Sequence, residues 1–361
     1  MRLFLATLLA ASVGCASNTI TGYDEPGADA ASDSTESDAD GDDETVSDGG
    51  DGATDDGTDS PADANEDTGD GGVADDEPVR APGELGEWSV RAVSSTEVDA
   101  EIYLPDGPGP YPLVLFSPGF QLSSVDYRSY AEHFASWGYI TALVNFDDAL
   151  FGGPTHNDMQ LTLGAMMDWF TSDPDVLEAA ADPESLVLMG HSMGGKLSLL
   201  RASYDARVDA VVGIDPVDAS PPLGGSPTDY PSVAPERMNL ITAPILLFGE
   251  RTNALGGFAC APEGENFQAY YESATSPVME VDFLDAFHMS FVDNPSCLFC
   301  LACPAGTDDP VVTKRSVRAI TTAFLESEIH GQAWATEWLR GDGIGAIEAT
   351  GTIATQSKNG F

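Results

Sequence analysis

The segment Gly190–Gly195, which reads Gly-His-Ser-Met-Gly-Gly, constrains the fold of this 361-residue chain more than any other feature. It follows an apolar run at 185–189 that is typical of a buried strand, and it precedes a helical pattern that begins at Lys196. A serine between glycines at a strand-to-helix turn takes a strained backbone conformation that lifts its hydroxyl above the sheet. Ser192 is therefore the candidate nucleophile.

The first 15 residues have the pattern of an export signal. Arg2 precedes a short apolar run at 3–11, which is too short to span a bilayer, and small residues then lead to Cys15. This pattern resembles the lipobox of bacterial lipoproteins, which implies acylation of Cys15 and anchoring to a bacterial membrane, expected to be the outer one. The alternative is an ordinary signal peptide, an incidental cysteine and a secreted protein.

Residues 16–80 are expected to form a disordered acidic linker. The stretch from Asp24 to Glu77 holds 22 of the 60 acidic residues and no lysine or arginine, and it has almost nothing apolar to bury. Beyond Val79, 38 acidic residues face 13 basic ones, so the remaining chain is also strongly acidic. Such a surface argues against nucleic-acid binding, which needs a basic footprint.

Residues 81–361 are long enough for one catalytic domain in which strands and helices alternate. An alternating strand pair is expected at 88–93 and 97–104. Buried strands are predicted at 112–117, 139–146, 186–189, 208–214, 244–248 and 278–283. Helices are predicted at 127–137, 159–170, 196–204, 265–271, 311–329 and 332–339. This order indicates an α/β fold with a doubly wound, mostly parallel sheet and helices on both faces, followed by a frayed polar tail after Arg340.

Two further strings, Gly213-Ile-Asp-Pro-Val-Asp218 and Cys260-Ala-Pro-Glu-Gly-Glu-Asn266, accompany the elbow and the segment around His288. Together they resemble the α/β-hydrolase superfamily, specifically its chlorophyllase-like branch, which is related to polyester hydrolases. The resemblance covers most of residues 97–330. It implies hydrolysis of carboxylic esters, and we expect a monomer that requires neither a metal nor an organic cofactor.

A base must lie within hydrogen-bond reach of Ser192, and the chain order of this fold is serine, acid, histidine. His288 and His330 are the two histidines that follow the elbow, and His288 comes directly after a predicted strand. His288 is therefore the candidate base. The resemblance assigns the acid to Asp215, with Asp218 and Glu250 as rivals, because Thr252 and Asn253 stand where many such folds carry an aspartate.

Acyl transfer also needs hydrogen-bond donors for the oxyanion. The backbone N–H of Met193, directly after the nucleophile, is one candidate. The resemblance assigns the second donor to the N–H of Phe120, in the loop after the third strand.

Four cysteines follow the linker: Cys260, Cys297, Cys300 and Cys303. In an exported protein an even number implies disulfides, and four cysteines permit three pairings. Every pairing joins Cys260 to one of the other three. A zinc site built from the four thiolates is the alternative.

These features predict an exported serine esterase that acts on a small-molecule or polymeric ester. Within enzymes, a polyester or lipid ester hydrolase and a thioesterase remain open, since fold resemblance does not choose the substrate. From another class, the chain could be a catalytically inactive surface lipoprotein that uses its pocket for binding.

Overall fold

The computed structural model describes residues 81–361, apart from residues 96, 150–151, 173, 178–180, 221–224, 256–258, 296 and 298–299. The export signal, Cys15 and the acidic linker lie outside the described residues and stay predictions. Within the described part, no helix has both the length and the apolar character needed to cross a membrane.

The described strands form one nine-stranded sheet. They are β1 (Val90–Ser94), β2 (Ala100–Pro105), β3 (Tyr111–Ser117), β4 (Ile140–Val144), β5 (Ala181–His191), β6 (Val208–Ile214), β7 (Ile245–Glu250), β8 (Val278–Phe283) and β9 (Ile353–Lys358). Their order across the sheet is β1-β2-β4-β3-β5-β6-β7-β8-β9. Strands β3 to β8 run parallel, whereas β1, β2 and β9 pair antiparallel at the two edges. The predicted strand pair and the mostly parallel sheet are thus confirmed.

Helices cover both faces of this sheet. They are α1 (Arg128–Ser136), α2 (His156–Phe170), α3 (Met193–Ala202), α4 (Phe267–Ser273), α5 (Pro310–Glu328), α6 (Ala333–Arg340) and α7 (Asp342–Glu348). Helices α2, α3 and α4 share a core with one face of the sheet, and α1, α5, α6 and α7 share a core with the other. Successive side chains of a strand point to opposite faces of the sheet, as β3 shows. Its Leu113 and Leu115 belong to the first core, and its Val114 and Phe116 belong to the second.

Local sequence signals explain where the longer helices begin. Thr155 caps α2 by accepting a hydrogen bond from the backbone N–H of Asp158 at 3.1 Å, and the Asp158 side chain in turn accepts from the Thr155 N–H. Asp309 caps α5, and Pro310 occupies its first turn, where a missing N–H costs nothing.

The prediction of a frayed tail after Arg340 is wrong. Helix α7 continues the chain, and β9 then adds to the edge of the sheet with Ile353 opposite Phe283. The reason is that an edge strand with one solvent face needs few apolar residues, and Ile353 is the buried one here. The end of the chain is held as well, since the ring of Phe361 stacks on Phe324 with centroids 5.9 Å apart.

Candidate active site

Ser192 occupies a sharp turn between β5 and α3. Its backbone has φ 55° and ψ −119°, a conformation that non-glycine residues rarely adopt. The N–H of Ser192 donates to the carbonyl of Ile214 at 2.9 Å. Its own carbonyl accepts from Lys196 N at 3.1 Å and Val217 N at 3.2 Å. The strained turn is therefore held by hydrogen bonds on both sides.

The glycines around Ser192 allow the turn to pack against the sheet. A Cβ on Gly190 would lie 2.4 Å from the backbone of Gly194, inside the strand-to-helix turn itself. A Cβ on Gly194 would lie 2.0 Å from the carbonyl oxygen of Ser117, at the end of β3. A larger residue at position 190 would force the turn itself open, and one at position 194 would push the elbow off β3.

His288 lies between Ser192 and Asp215. It begins the short 3₁₀ turn His288–Phe291 after β8, and its Nε2 is 2.8 Å from the Oγ of Ser192. Its Nδ1 is 2.6 Å from the Oδ2 of Asp215, which directly follows β6 and is fully buried. Burial lowers the pKa of His288 to about 4, so the ring is a neutral base at neutral pH. His330, the other histidine after the elbow, packs on Tyr139 instead.

Asp218, one rival for the acid, is engaged elsewhere. Its carboxylate pairs with the Nζ of Lys196 at 3.2 Å, and neither side chain is appreciably exposed. It also accepts hydrogen bonds from the hydroxyl of Ser232 at 2.6 Å and from the N–H of Val233 at 3.0 Å. Asp218 and Lys196 thus tie the loop after β6 to α3, a role that the sequence did not reveal.

Glu250, the other rival, lies beside Asp215 rather than replacing it. It is the last residue of β7, and one of its oxygens accepts from the N–H of Asn253 at 2.8 Å. The side-chain oxygen of Asn253 accepts in turn from the N–H of His288 at 2.8 Å. Asn253 stands where many related folds carry the acid. Here its side chain holds the backbone of His288 instead.

A second hydrogen-bond path links the elbow to His288. The Nε2 of His191 is 3.0 Å from the carbonyl oxygen of His288, which can only accept, so this nitrogen carries the hydrogen. The Nδ1 of His191 therefore accepts from the hydroxyl of Tyr127 at 2.8 Å. That hydroxyl also accepts from the N–H of Gly119 at 3.1 Å. Burial holds the pKa of His191 well below its ordinary value, which keeps the ring neutral.

The loop that carries Phe120 is held on both sides of this residue. Gly119 is fixed by Tyr127, and the N–H of Gln121 donates to the Oδ2 of Asp148 at 2.5 Å. Gln121 itself adopts a positive φ of 59°. Phe120 and Met193, the two residues predicted to supply oxyanion donors, both line a pocket that includes Ser192.

Two pockets meet at Ser192, and both contain Phe120 and Cys260 in their walls. The Met193-side pocket has a volume of about 220 Å³, and its lining includes Met159, Met193, Val217, Ala219 and Tyr230. The His288-side pocket has a volume of about 490 Å³, and its lining includes Leu122, Ala259, His288, Met289 and Ala302. Ser192 thus lies between two mostly apolar spaces.

The four cysteines form two disulfides, Cys260–Cys303 and Cys297–Cys300. This is one of the three pairings that the sequence allowed, and it leaves no thiolate for the zinc alternative. All four residues line the His288-side pocket. The Cys260–Cys303 bond joins the loop after β7 to the loop after His288, as the sequence predicted for Cys260.

Two carboxyl groups and the ring of His288 form a cluster that could offer ligands to a metal ion. One oxygen each of Asp215 and Glu250 and one ring nitrogen of His288 lie within 4.8 Å of one another. Both ring nitrogens of His288 already have partners, Ser192 and Asp215. These two contacts of His288 suit proton transfer.

A mostly parallel sheet that carries such an elbow, with a histidine after its eighth strand, defines an α/β-hydrolase. More specifically, a model of the chlorophyllase family matches residues 87–342, so the chain belongs to the chlorophyllase family. The chain is accordingly a carboxylic ester hydrolase.

Individual relatives agree with this assignment. The chain is 26% identical over 265 residues to Chlorophyllase-2 of Arabidopsis thaliana, a match that covers 67% of this chain and 81% of the relative. It is 27% identical over 249 residues to the chloroplastic Chlorophyllase-1 of Citrus sinensis, covering 64% and 73%. Chlorophyllase type 0 of Chenopodium album is 26% identical over 255 residues, covering 63% and 70%.

Proposed function

We propose that this chain is an exported serine esterase that works through an acyl-enzyme on Ser192. The observation that carries the proposal is the unbroken hydrogen-bond chain from Ser192 Oγ to His288 and on to buried Asp215, at 2.8 and 2.6 Å. A neutral histidine within this distance of a hydroxyl can take its proton as a general base.

The reaction has two halves. Ser192 attacks the ester carbonyl while His288 takes the hydroxyl proton, and Asp215 holds the imidazolium that forms. The N–H groups of Phe120 and Met193 stabilise the oxyanion. His288 then delivers its proton to the leaving alcohol, and water attacks the acyl-enzyme by the same route in reverse.

The two pockets divide the substrate between them. Because His288 protonates the leaving alcohol, the alcohol must lie on the histidine side of Ser192, in the pocket of about 490 Å³. The acyl group then extends into the Met193-side pocket of about 220 Å³. Both linings are mainly apolar, so the proposed substrates are esters with an apolar alcohol larger than the acyl group.

A matrix of esters tests this assignment. One series lengthens the alcohol and keeps the acyl group short. The other lengthens the acyl group and keeps the alcohol short. Chlorophyll is included because the relatives carry the name chlorophyllase. We expect kcat/KM to rise further along the alcohol series than along the acyl series, with Ser192→Ala as the inactive control. No turnover of any ester by folded protein would favour the binding-only alternative.

Export and lipid anchoring belong to the same proposal. Two disulfides suit an oxidising compartment, and the N-terminal sequence resembles a lipoprotein signal that ends at a cysteine. Cys15→Ser should move the protein from the membrane fraction to the soluble fraction with unchanged kcat. An unmodified N-terminus beyond residue 15, found by mass spectrometry, would remove the anchor and leave export in place.

A further inference from the structure

Two carboxyl groups are buried next to each other behind His288. Asp215 and Glu250 follow or end neighbouring strands β6 and β7, and the N–H of Asp215 donates to the carbonyl of Phe248 at 2.8 Å. Both side chains have an exposed fraction of 0%. Oxygens of the two carboxyls and a ring nitrogen of His288 lie within 4.8 Å of one another.

Each carboxyl has one oxygen without a partner. Among the described residues, nothing donates to Oδ1 of Asp215 or to Oε1 of Glu250, although both atoms are buried. Their other oxygens face Nδ1 of His288 and the N–H of Asn253 respectively. Buried acceptors that lack a donor are costly, and a proton placed between these two oxygens would satisfy both.

The charges around the pair do not favour two carboxylates. Within the described part of the chain, neither Asp215 nor Glu250 forms an ion pair with a lysine or arginine. Asp282, on β8, adds negative charge from the next strand and is itself paired with Arg251 at 2.5 Å. Two adjacent buried carboxyls in such surroundings hold one charge rather than two.

Resting on the proposed function, we propose that Glu250 is a positioning residue whose protonated carboxyl donates a hydrogen bond from Oε1 to Oδ1 of Asp215. The remaining negative charge then stays on Asp215, facing His288. Burial, followed by the charge of Asp215, raises the pKa of Glu250 to about 9. Burial raises the pKa of Asp215 as well, which agrees with a pair that holds a proton.

Three variants separate this role from simple packing. Glu250→Gln keeps the shape and a donor toward Asp215, and its carbonyl can still accept from Asn253. Glu250→Ala removes the donor. Glu280→Gln is the matched control, because Glu280 is a buried carboxyl on β8 with one oxygen on Gln356 and the other without a partner among the described residues.

The activity expected of each variant depends on whether residue 250 can donate a hydrogen bond to Asp215. Near neutral pH, Glu250→Gln should keep kcat within about threefold of the parent, whereas Glu250→Ala should lose about 10- to 100-fold in kcat with little change in KM. The parent and Glu280→Gln should both lose turnover as the pH rises through about 9, because Glu250 then ionises beside Asp215. Glu250→Gln should lack this alkaline loss.

The free energy of unfolding, like turnover, should fall as the pH rises. The folded-state pKa of Glu250 lies above its unfolded value, so its contribution to stability is fully present below about pH 4.5 and is lost as the pH rises from there through about 9. Over this pH range, urea unfolding should therefore show a smaller decline in stability for Glu250→Gln than for the parent.

An infrared measurement tests the proton without turnover. The difference spectrum between the parent and Glu250→Gln at neutral pH should contain the C=O stretch of a protonated carboxylic acid. A difference spectrum with only carboxylate bands, or an alkaline loss unchanged in Glu250→Gln, would overturn the proposal. A protein that cleaves no ester but shows the protonated band would contradict the proposed function alone.

Discussion

The backbone carbonyl of His288 accepts a hydrogen bond from the ring of His191, the residue immediately before Ser192, at 3.0 Å. The centroids of the His191 and His288 rings are also 4.7 Å apart. The elbow that carries Ser192 therefore fixes the backbone of His288 as well. Through Tyr127 the same path reaches Gly119, so Ser192, His288 and the loop that carries Phe120 are held by one set of contacts.

Removing the hydroxyl of Tyr127 should weaken this connection. Tyr127→Phe leaves the N–H of Gly119 and the Nδ1 of His191 without their partner, and we expect a stability loss of about 1–3 kcal/mol together with a lower kcat. Tyr139→Phe is the control, because its buried hydroxyl donates to Glu326 away from the site. If both variants keep the parent kcat, the path does not position the reacting groups.

The two disulfides should differ in what they contribute. Cys260–Cys303 closes 43 residues and Cys297–Cys300 closes three, so replacing the first pair by serine should cost about 2–4 kcal/mol and the second much less. Both pairs line the His288-side pocket, and opening the first should also raise KM for esters of long alcohols. Equal melting temperatures for the two double variants, compared under non-reducing conditions, would refute this.

Acid should destabilise the fold through its buried histidines. Burial lowers the pKa of His133 and His156 to about 3, below the unfolded value, so their contribution is present above about pH 6.5 and is lost as the pH falls toward 3. Each such histidine steepens the decline by up to about 1.4 kcal/mol per pH unit. In urea unfolding, His133→Gln should flatten this slope, and a slope equal to that of the parent would contradict the prediction.

Some secondary-structure elements could be predicted from the sequence, and others could not. The buried strands were predictable because parallel strands covered on both faces are continuous apolar runs, such as Val208–Ile214. Strand β9 was not, because only Ile353 and the pairing with β8 mark it. Ser192 was predicted from the glycine-flanked turn between a strand and a helix, and His288 from the order of the residues along the chain. The proximity of Glu250 to Asp215 depends on how β6 and β7 align, which local sequence does not encode.

The acid can be identified by comparing two aspartates that lie three residues apart. Asp215→Asn should lower kcat roughly 10⁴-fold without unfolding the protein, because the histidine loses the carboxylate that holds its tautomer. Asp218→Asn should instead lower stability, since it leaves Lys196 buried without a charged partner, and should change kcat by less than about tenfold. Thermal melts and kinetics on both variants test this assignment. A larger loss of kcat in folded Asp218→Asn than in Asp215→Asn would make Asp218 the acid.

The central claim is that His288 and Asp215 activate Ser192 as a nucleophile, and a fluorophosphonate probe with peptide mass spectrometry tests it most directly. We predict one adduct per chain, on the peptide that contains Ser192. Labelling should be strongly slowed in His288→Ala and absent in Ser192→Ala, while both variants remain folded. A folded parent protein that does not react, or an adduct on any other residue, would contradict the account.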